Sequence, residues 1–132
     1  LKYIIDSDIL IYFLKDHPNV VRAFKKTEPD DIAVTIITYA ELLFGAYNSL
    51  KIKENLSKIK SFLQTMAIAD FDKASAEVFA SLKAELRKEG KIISDMDLII
   101  ASICIANNFI LVTNNSKHFK RIKGLKTENW SL

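Results

Sequence analysis

The sequence predicts an α/β fold: a mostly parallel central sheet flanked by helices, in three layers. Two observations predict it. Short apolar runs near residues 3–5, 32–35 and 109–113 alternate with longer stretches whose apolar side chains recur at helical spacing. Strands separated by helices return in the same direction, so the sheet is mostly parallel. The second observation is where the acids stand. Asp6 closes the first apolar run, while Glu41 and Asp97 stand near the starts of later helices. Open α/β sheets build their sites at the rim where strands end.

Residues 2–6 form the first strand. Residues 8–16 read as a helix, broken at His17-Pro18, and residues 20–26 as a second short helix. Glu28-Pro29-Asp30-Asp31 is a turn, and residues 32–35 are the second strand. Residues 38–48 and 52–64 are helical, the latter with apolar spacing at Ile52, Leu56, Ile59 and Leu63. Residues 66–69 form a short strand. Asp72 caps a long helix to Lys88, which Gly90 ends. Ser94 caps a helix to about Ala106. Residues 109–113 form a strand, and residues 124–130 hold a last edge strand.

At 132 residues the chain is one domain, residues 1–132, with enough length to bury a core. A hydrophobic fraction of 49% is high for so small a chain. No apolar run reaches the roughly 18 residues of a membrane span. The apolar excess therefore predicts exposed apolar surface for a protein partner and for self-association, with Tyr12, Phe13, Tyr47 and the helix at 52–63 as its carriers. Cys104 is the only cysteine and lies in the apolar run Ile103-Cys104-Ile105-Ala106, so it reads as a core thiol. An intrachain disulfide and a cysteine zinc cluster are excluded, which together with the lack of a signal-peptide pattern predicts a cytoplasmic protein. With 3 Gly and 2 Pro there is no glycine-rich phosphate loop. The net charge of +3 is mild, and the lysines at 51–53, 58–60 and 117–123 read as solvated faces.

Each acid has a structural explanation beside a chemical one. Asp6 ends a strand, and Asp8 serves as the N-cap of the helix that follows. Thr38 and Glu41 match the S/T-x-x-E capping box, and Ser94-Asp95-Met96-Asp97 repeats it with Asp97 at the fourth position. Asp97, however, directly precedes Leu98-Ile99-Ile100-Ala101, a buried helix face, and a desolvated acid there needs compensation. A metal ion compensates. Hard oxygen ligands without a Cys or His cluster select Mg²⁺ or Mn²⁺. Asn114 and Asn115 suit a turn, but the strand ending at Thr113 shares the rim with Asp6. There Thr113 can orient an acid, and Asn115 can hold a water or a substrate phosphate. His118 reads as a packing or solvated side chain.

With these motifs in place, the chain resembles the PIN-domain ribonucleases, in particular VapC-type toxins of toxin–antitoxin pairs. Ile4-Ile5-Asp6-Ser7-Asp8-Ile9-Leu10-Ile11 resembles the family's opening, and Thr38-Tyr39-Ala40-Glu41-Leu42 with Gly45 its T-x-x-E-L-x-x-G helix. Ile92-Ile93-Ser94-Asp95-Met96-Asp97-Leu98-Ile99-Ile100-Ala101 resembles its third motif. Leu111 to Asn115, His118-Phe119, Gly124-Leu125 and Asn129-Trp130 resemble its C-terminal signature.

The resemblance implies a PIN-like α/β/α fold and an endoribonuclease that hydrolyses RNA with water activated by Mg²⁺ or Mn²⁺. It implies that Asp6, Glu41 and Asp97 bind the ion and are catalytic together with Asn115. Family members often place a fourth acid at the position of Asn115 or His118; neither is acidic here, and the resemblance leaves Asp95 to supply the missing charge as a further metal ligand. Ser7, Asp8, Thr38, Thr113 and His118 are the supporting residues. The implied partners are RNA, a cognate antitoxin inserting a segment near the site, and a second copy of the chain, with higher toxin–antitoxin assemblies built from these. Two alternatives remain open at this stage. One is a haloacid-dehalogenase-like phosphatase with Asp6 as nucleophile, suggested by Asp6-Ser7-Asp8; the other is an inactive PIN-like interaction module.

Overall fold

A computed structural model describes residues 1–132. It contains five strands, β1 (Tyr3–Ile5), β2 (Ile32–Thr35), β3 (Ala67–Ala69), β4 (Ile110–Val112) and β5 (Lys126–Glu128). The helices are α1 (Ser7–Leu14), α2 (Pro18–Lys26), α3 (Ile36–Tyr47), α4 (Ile52–Leu63), α5 (Lys73–Lys88), α6 (Asp95–Asn107) and α7 (Ser116–Phe119), and a 3-10 turn spans Pro29–Asp31.

All strand pairs are parallel, in the order β3-β2-β1-β4-β5. The central strand, β1, is flanked by β2 on one side and β4 on the other, so the winding reverses beside β1. Such a reversal opens a crevice at the carboxyl ends of the strands.

The apolar runs are continuous because the inner strands are covered on both faces. Successive side chains of a strand point to opposite faces. Ile4, Ala33 and Leu111 accordingly join Leu86, Leu98, Ala101, Cys104 and Phe119 under α5 and α6. Ile5, Val34 and Val112 join Ile9, Leu10, Val20, Leu42 and Leu63 under α1 to α4. These two clusters make the three layers.

Several boundaries differ from the sequence expectation. Pro18 does not simply break a helix. It occupies the first turn of α2, where its missing N–H costs nothing, and His17 Nδ1 accepts from Val20 N–H at 3.4 Å. The Thr38–Glu41 capping box is not formed. Helix α3 starts at Ile36, and Thr35 is its cap, accepting from Thr38 N–H at 3.1 Å. The strand end decides this, since Thr35 is still in register with Ala69 of β3. Glu41 therefore lies past the first turn, free of any capping task. Helix α7 was not foreseen.

Thr35 is fully buried, and its hydroxyl is the acceptor for Thr38 N–H. Thr35→Val keeps the shape and removes that acceptor. The expected cost is about 1–2 kcal/mol, read from the midpoint of denaturant unfolding; an unchanged midpoint refutes the cap assignment.

The apolar surface lies only partly where expected, at Tyr47 and Ile52. Phe13 packs against Phe24 and Phe62 with ring centroids 4.4 and 5.6 Å away, and Tyr12 is half-buried. Beyond Tyr47 and Ile52, Leu50 is exposed, and Ile11, Leu14, Phe44 and Met96 are exposed beside the site. No helix is long and apolar enough to cross a membrane.

Candidate active site

The site lies at the carboxyl ends of β1 and β4. The N–H of Asp6 donates to Val112 O at 2.9 Å, extending the ladder to the last residue before α1. Asp6 Oδ1 accepts from Ser7 N–H at 2.9 Å, and Asp6 Oδ2 accepts from the Thr113 hydroxyl at 2.9 Å. Both carboxylate oxygens are thus held from two different elements. Thr113 is fully buried, and its own N–H is tied to Glu128 O of β5 at 2.9 Å.

Asp8 is not the cap of α1; Asp6 holds that position. One oxygen of Asp8 accepts from Ile9 N–H at 2.7 Å, and the other accepts from Asn114 N–H at 3.0 Å across the crevice. Asp8 thereby clamps the turn after β4. The Asn114 side chain continues the clamp: its amide donates to Tyr12 Oη at 3.2 Å and its Oδ1 accepts from Asn129 and Ser131, each at 3.0 Å.

Glu41 enters from α3 and lines the crevice with Ser7. Its Oε1 is buried with no hydrogen-bond partner. An orphaned buried carboxylate oxygen costs free energy unless a cation or water meets it. Asp97 enters from the first turn of α6. Its N–H is capped by Ser94 Oγ at 3.3 Å, as the sequence predicts, but its carboxylate turns away from the cap and pairs with His118 Nε2 at 3.0 Å.

The other sequence candidates fall outside this group. Asp95 forms an ion pair with Lys83 at 2.9 Å on the surface, with a side chain 60% exposed. The Thr38 hydroxyl faces that of Thr35 at 3.3 Å, inside the protein. Asn115 is exposed at the rim beside Thr113, to whose Oγ1 its N–H donates at 3.0 Å.

Burial and mutual repulsion set the protonation of these acids. Burial, reinforced by the charges of Asp8 and Glu41, pushes Asp6 up from 3.8 to about 7 despite the bonds from Thr113 and Ser7. Burial raises Asp8, against the bonds from Asn114 and Ile9. Burial also raises Glu41, with Asp97 and Asp8 adding to it. Acids brought together this way hold protons that a cation displaces. Cys104 lies near enough to feel Asp6, and burial pushes its thiol up, so it stays protonated.

The donor set fits a hard divalent cation: all-oxygen, part-buried, and including the orphaned Glu41 Oε1. The spacing is open, since no three His, Cys, Asp or Glu side chains stand close enough together to clasp an ion.

A PIN-domain family model matches residues 3–125. The chain is 38% identical over 130 residues to ribonuclease VapC2 of Haemophilus influenzae, covering 98% of each. The chain belongs to the PIN-domain family, in its VapC-type branch. This PIN domain is also 33% identical over 131 residues to the tRNA(fMet)-specific endonuclease VapC of Shigella flexneri, covering 99% of each. Its fold superposes on a chain of the VapBC2 structure from Rickettsia felis, bound to a DNA fragment from its promoter, with a TM-score of 0.85 and 39% identity over 98% of this chain and 99% of that one. The family assignment removes the phosphatase alternative and, with it, a phosphorylated Asp6.

Two features of this PIN domain escaped the sequence reading. Arg121, hidden in the basic run at 117–123, turns inward to His118. The Asn114 clamp joins residues that are 102 and 15 positions apart in sequence. Only the three-residue spacing of His118 and Arg121 carries a signal.

Proposed function

We propose that this PIN domain is a divalent-cation-dependent endoribonuclease and the toxin of a type II toxin–antitoxin pair. The observation that carries the proposal is the crevice at the winding reversal, where Asp6 is held near neutrality and Glu41 presents a buried, unpartnered oxygen. The relatives named as ribonucleases support it.

In this reading Asp6, Glu41 and Asp97 hold Mg²⁺ or Mn²⁺. The bound ion supplies charge that polarises a phosphodiester and acidifies water. Thr113 fixes the rotamer of Asp6, and Asp8 fixes the turn bearing Asn114 and Asn115. Asn115, exposed at the rim, is placed to meet the substrate phosphate. A cation there would favour the ionised form of Asp6 against the burial and the neighbouring charges that raise it. A folded tRNA is the first substrate to test, on the name of the Shigella relative.

The partner reading rests on a groove of about 930 Å³ beside the site, lined by Ile11, Leu14, Phe44, Ile59 and Met96 and reaching Ser7 and Glu41. An antitoxin segment lying there covers the crevice. The Rickettsia structure is a toxin–antitoxin complex on promoter DNA, which supports the same assembly here. Tyr47 and Leu50, both exposed on the α3–α4 side, are offered to a second copy of the chain.

The test is cleavage of a tRNA pool by the purified chain with Mg²⁺, with Mn²⁺ and with chelator, beside Glu41→Gln. Cutting with either ion, loss with chelator and loss in Glu41→Gln are expected. Cutting that ignores chelator refutes the cation-dependent reading. RNA binding without cutting under any condition marks an inactive interaction module.

A further inference from the structure

In the sequence, His118 and Arg121 belong to a run of solvated basic residues. In the structure both turn toward the acids. His118 Nε2 stands 3.0 Å from Asp97 Oδ2. Arg121 Nη2 stands 2.7 Å from His118 Nδ1, and Arg121 Nε donates to the His118 carbonyl at 3.2 Å. The ring is only 23% exposed and meets the Phe119 ring edge-on at 5.2 Å.

A guanidinium has donors only and stays charged. The ring nitrogen that faces it must accept, so Nδ1 carries no proton. The ring's proton is then on Nε2, the nitrogen that faces Asp97. We infer that His118 is the positioning residue for Asp97, donating from Nε2 to its carboxylate, and that Arg121 sets the tautomer that allows this; the inference rests on Asp97 holding a divalent cation.

Three constraints then converge on Asp97. Ser94 holds its N–H, His118 holds Oδ2, and the helix start fixes its backbone. The charge balance favours this arrangement. Burial already raises Asp6, Asp8 and Glu41, and neighbouring carboxylates add to it at Asp6 and Glu41. A further carboxylate behind Asp97 would add to that repulsion. A neutral imidazole orients the ligand without adding negative charge, as donors behind metal ligands do.

The test compares wild type with His118→Ala, His118→Gln and Arg121→Ala. Mn²⁺ binding is read by electron paramagnetic resonance and calorimetry. The His118 ring ¹⁵N shifts of the ion-free protein are read at about pH 8, above the ordinary imidazole range. His118→Ala is expected to weaken Mn²⁺ binding about tenfold to a hundredfold. His118→Gln keeps a donor and is expected to recover most of that loss. Wild type is expected to show a protonated Nε2 and a bare Nδ1, and Arg121→Ala to mix the tautomers and weaken Mn²⁺ binding. Unchanged binding in His118→Ala, no recovery in His118→Gln, an Nδ1–H tautomer in wild type, or no Mn²⁺ binding by wild type overturns the inference. If His118→Ala does not fold, the Gln and Arg121 variants decide. RNA cleavage is followed in parallel: tight Mn²⁺ binding without cutting defeats the nuclease reading, while the binding and ring-shift results still decide the role of His118.

Discussion

Replacing Asp6 by asparagine is expected to abolish RNA cleavage and, in the ion-free protein, to raise stability. The loss follows from removing one full charge from the set that holds the cation. A divalent ion contributes several kcal/mol of charge stabilisation in phosphoryl chemistry, so a fall of about a thousandfold or more is expected. The gain follows from burial. Asp6 titrates at about 7 in the folded protein against the usual 3.8. Below about pH 4 the carboxyl is protonated in both folded and unfolded chains and carries no penalty. Between about pH 4 and pH 7 the unfolded chain ionises while the folded one keeps its proton, so folding loses stability as pH rises. Above about pH 7 the loss levels off at roughly 4 kcal/mol.

Asparagine has no such titration. Its amide can donate to Thr113 Oγ1, whose hydroxyl proton then turns to Asp8 Oδ2, 3.5 Å away. Its single amide oxygen keeps the Ser7 N–H. Asp6→Asn should therefore match wild type at about pH 4 and exceed it by up to roughly 4 kcal/mol at pH 8. Denaturant unfolding in chelator at several pH values measures this, beside the cleavage assay. A variant that still cuts, or one equally destabilised at every pH, refutes the placement of Asp6 as a buried cation ligand.

Phe119→Ala is expected to cost about 3–5 kcal/mol, the usual range for emptying a buried phenylalanine site. Phe119 is 1% exposed and lies in the cluster with Leu98, Leu111 and Ile122. It also ends a single-turn helix, α7, that has no side-chain cap. A helix this short is not stable by itself, so its packing residue decides whether it forms. The loss should therefore extend beyond stability. With α7 loosened, His118 no longer stands against Asp97, and Mn²⁺ affinity should fall in whatever fraction stays folded. Thermal melts and Mn²⁺ titration below the melting point measure the two effects. A melting temperature within a degree or two of wild type contradicts the packing described here.

Much of the fold was legible because its signals are local. The runs at 3–5, 32–34 and 109–112 are apolar at every position since both sheet faces are covered, and that is visible without coordinates. The caps of α5 and α6, Asp72 and Ser94, were read correctly because a single side chain meets an N–H three residues on. The cap of α3 was misread because Thr35 and Thr38 both fit a cap. Pairing with β3 keeps Thr35 in the sheet and makes it the one that closes the helix. Phe13 and Phe44 look alike in a hydrophobic profile. Phe13 is covered by Phe24 and Phe62, whereas Phe44 is 68% exposed.

The sequence by itself determined the order of strands and helices, the acids at their ends and the oxygen-only donor set, because periodicity and residue chemistry are properties of neighbours along the chain. The tertiary structure alone decided which of these acids interact. Sheet order puts the end of β1 beside the end of β4, so Thr113 reaches Asp6 across 107 positions of sequence. It turns Asp95 outward to Lys83 and Asp97 inward to His118, although both belong to one helical turn. It also lifts Asp6 from 3.8 to about 7. Burial causes most of that shift, with the charges of neighbouring Asp8 and distant Glu41 adding to it; burial and the approach of Glu41 are properties of packing in space, which no local stretch of sequence records.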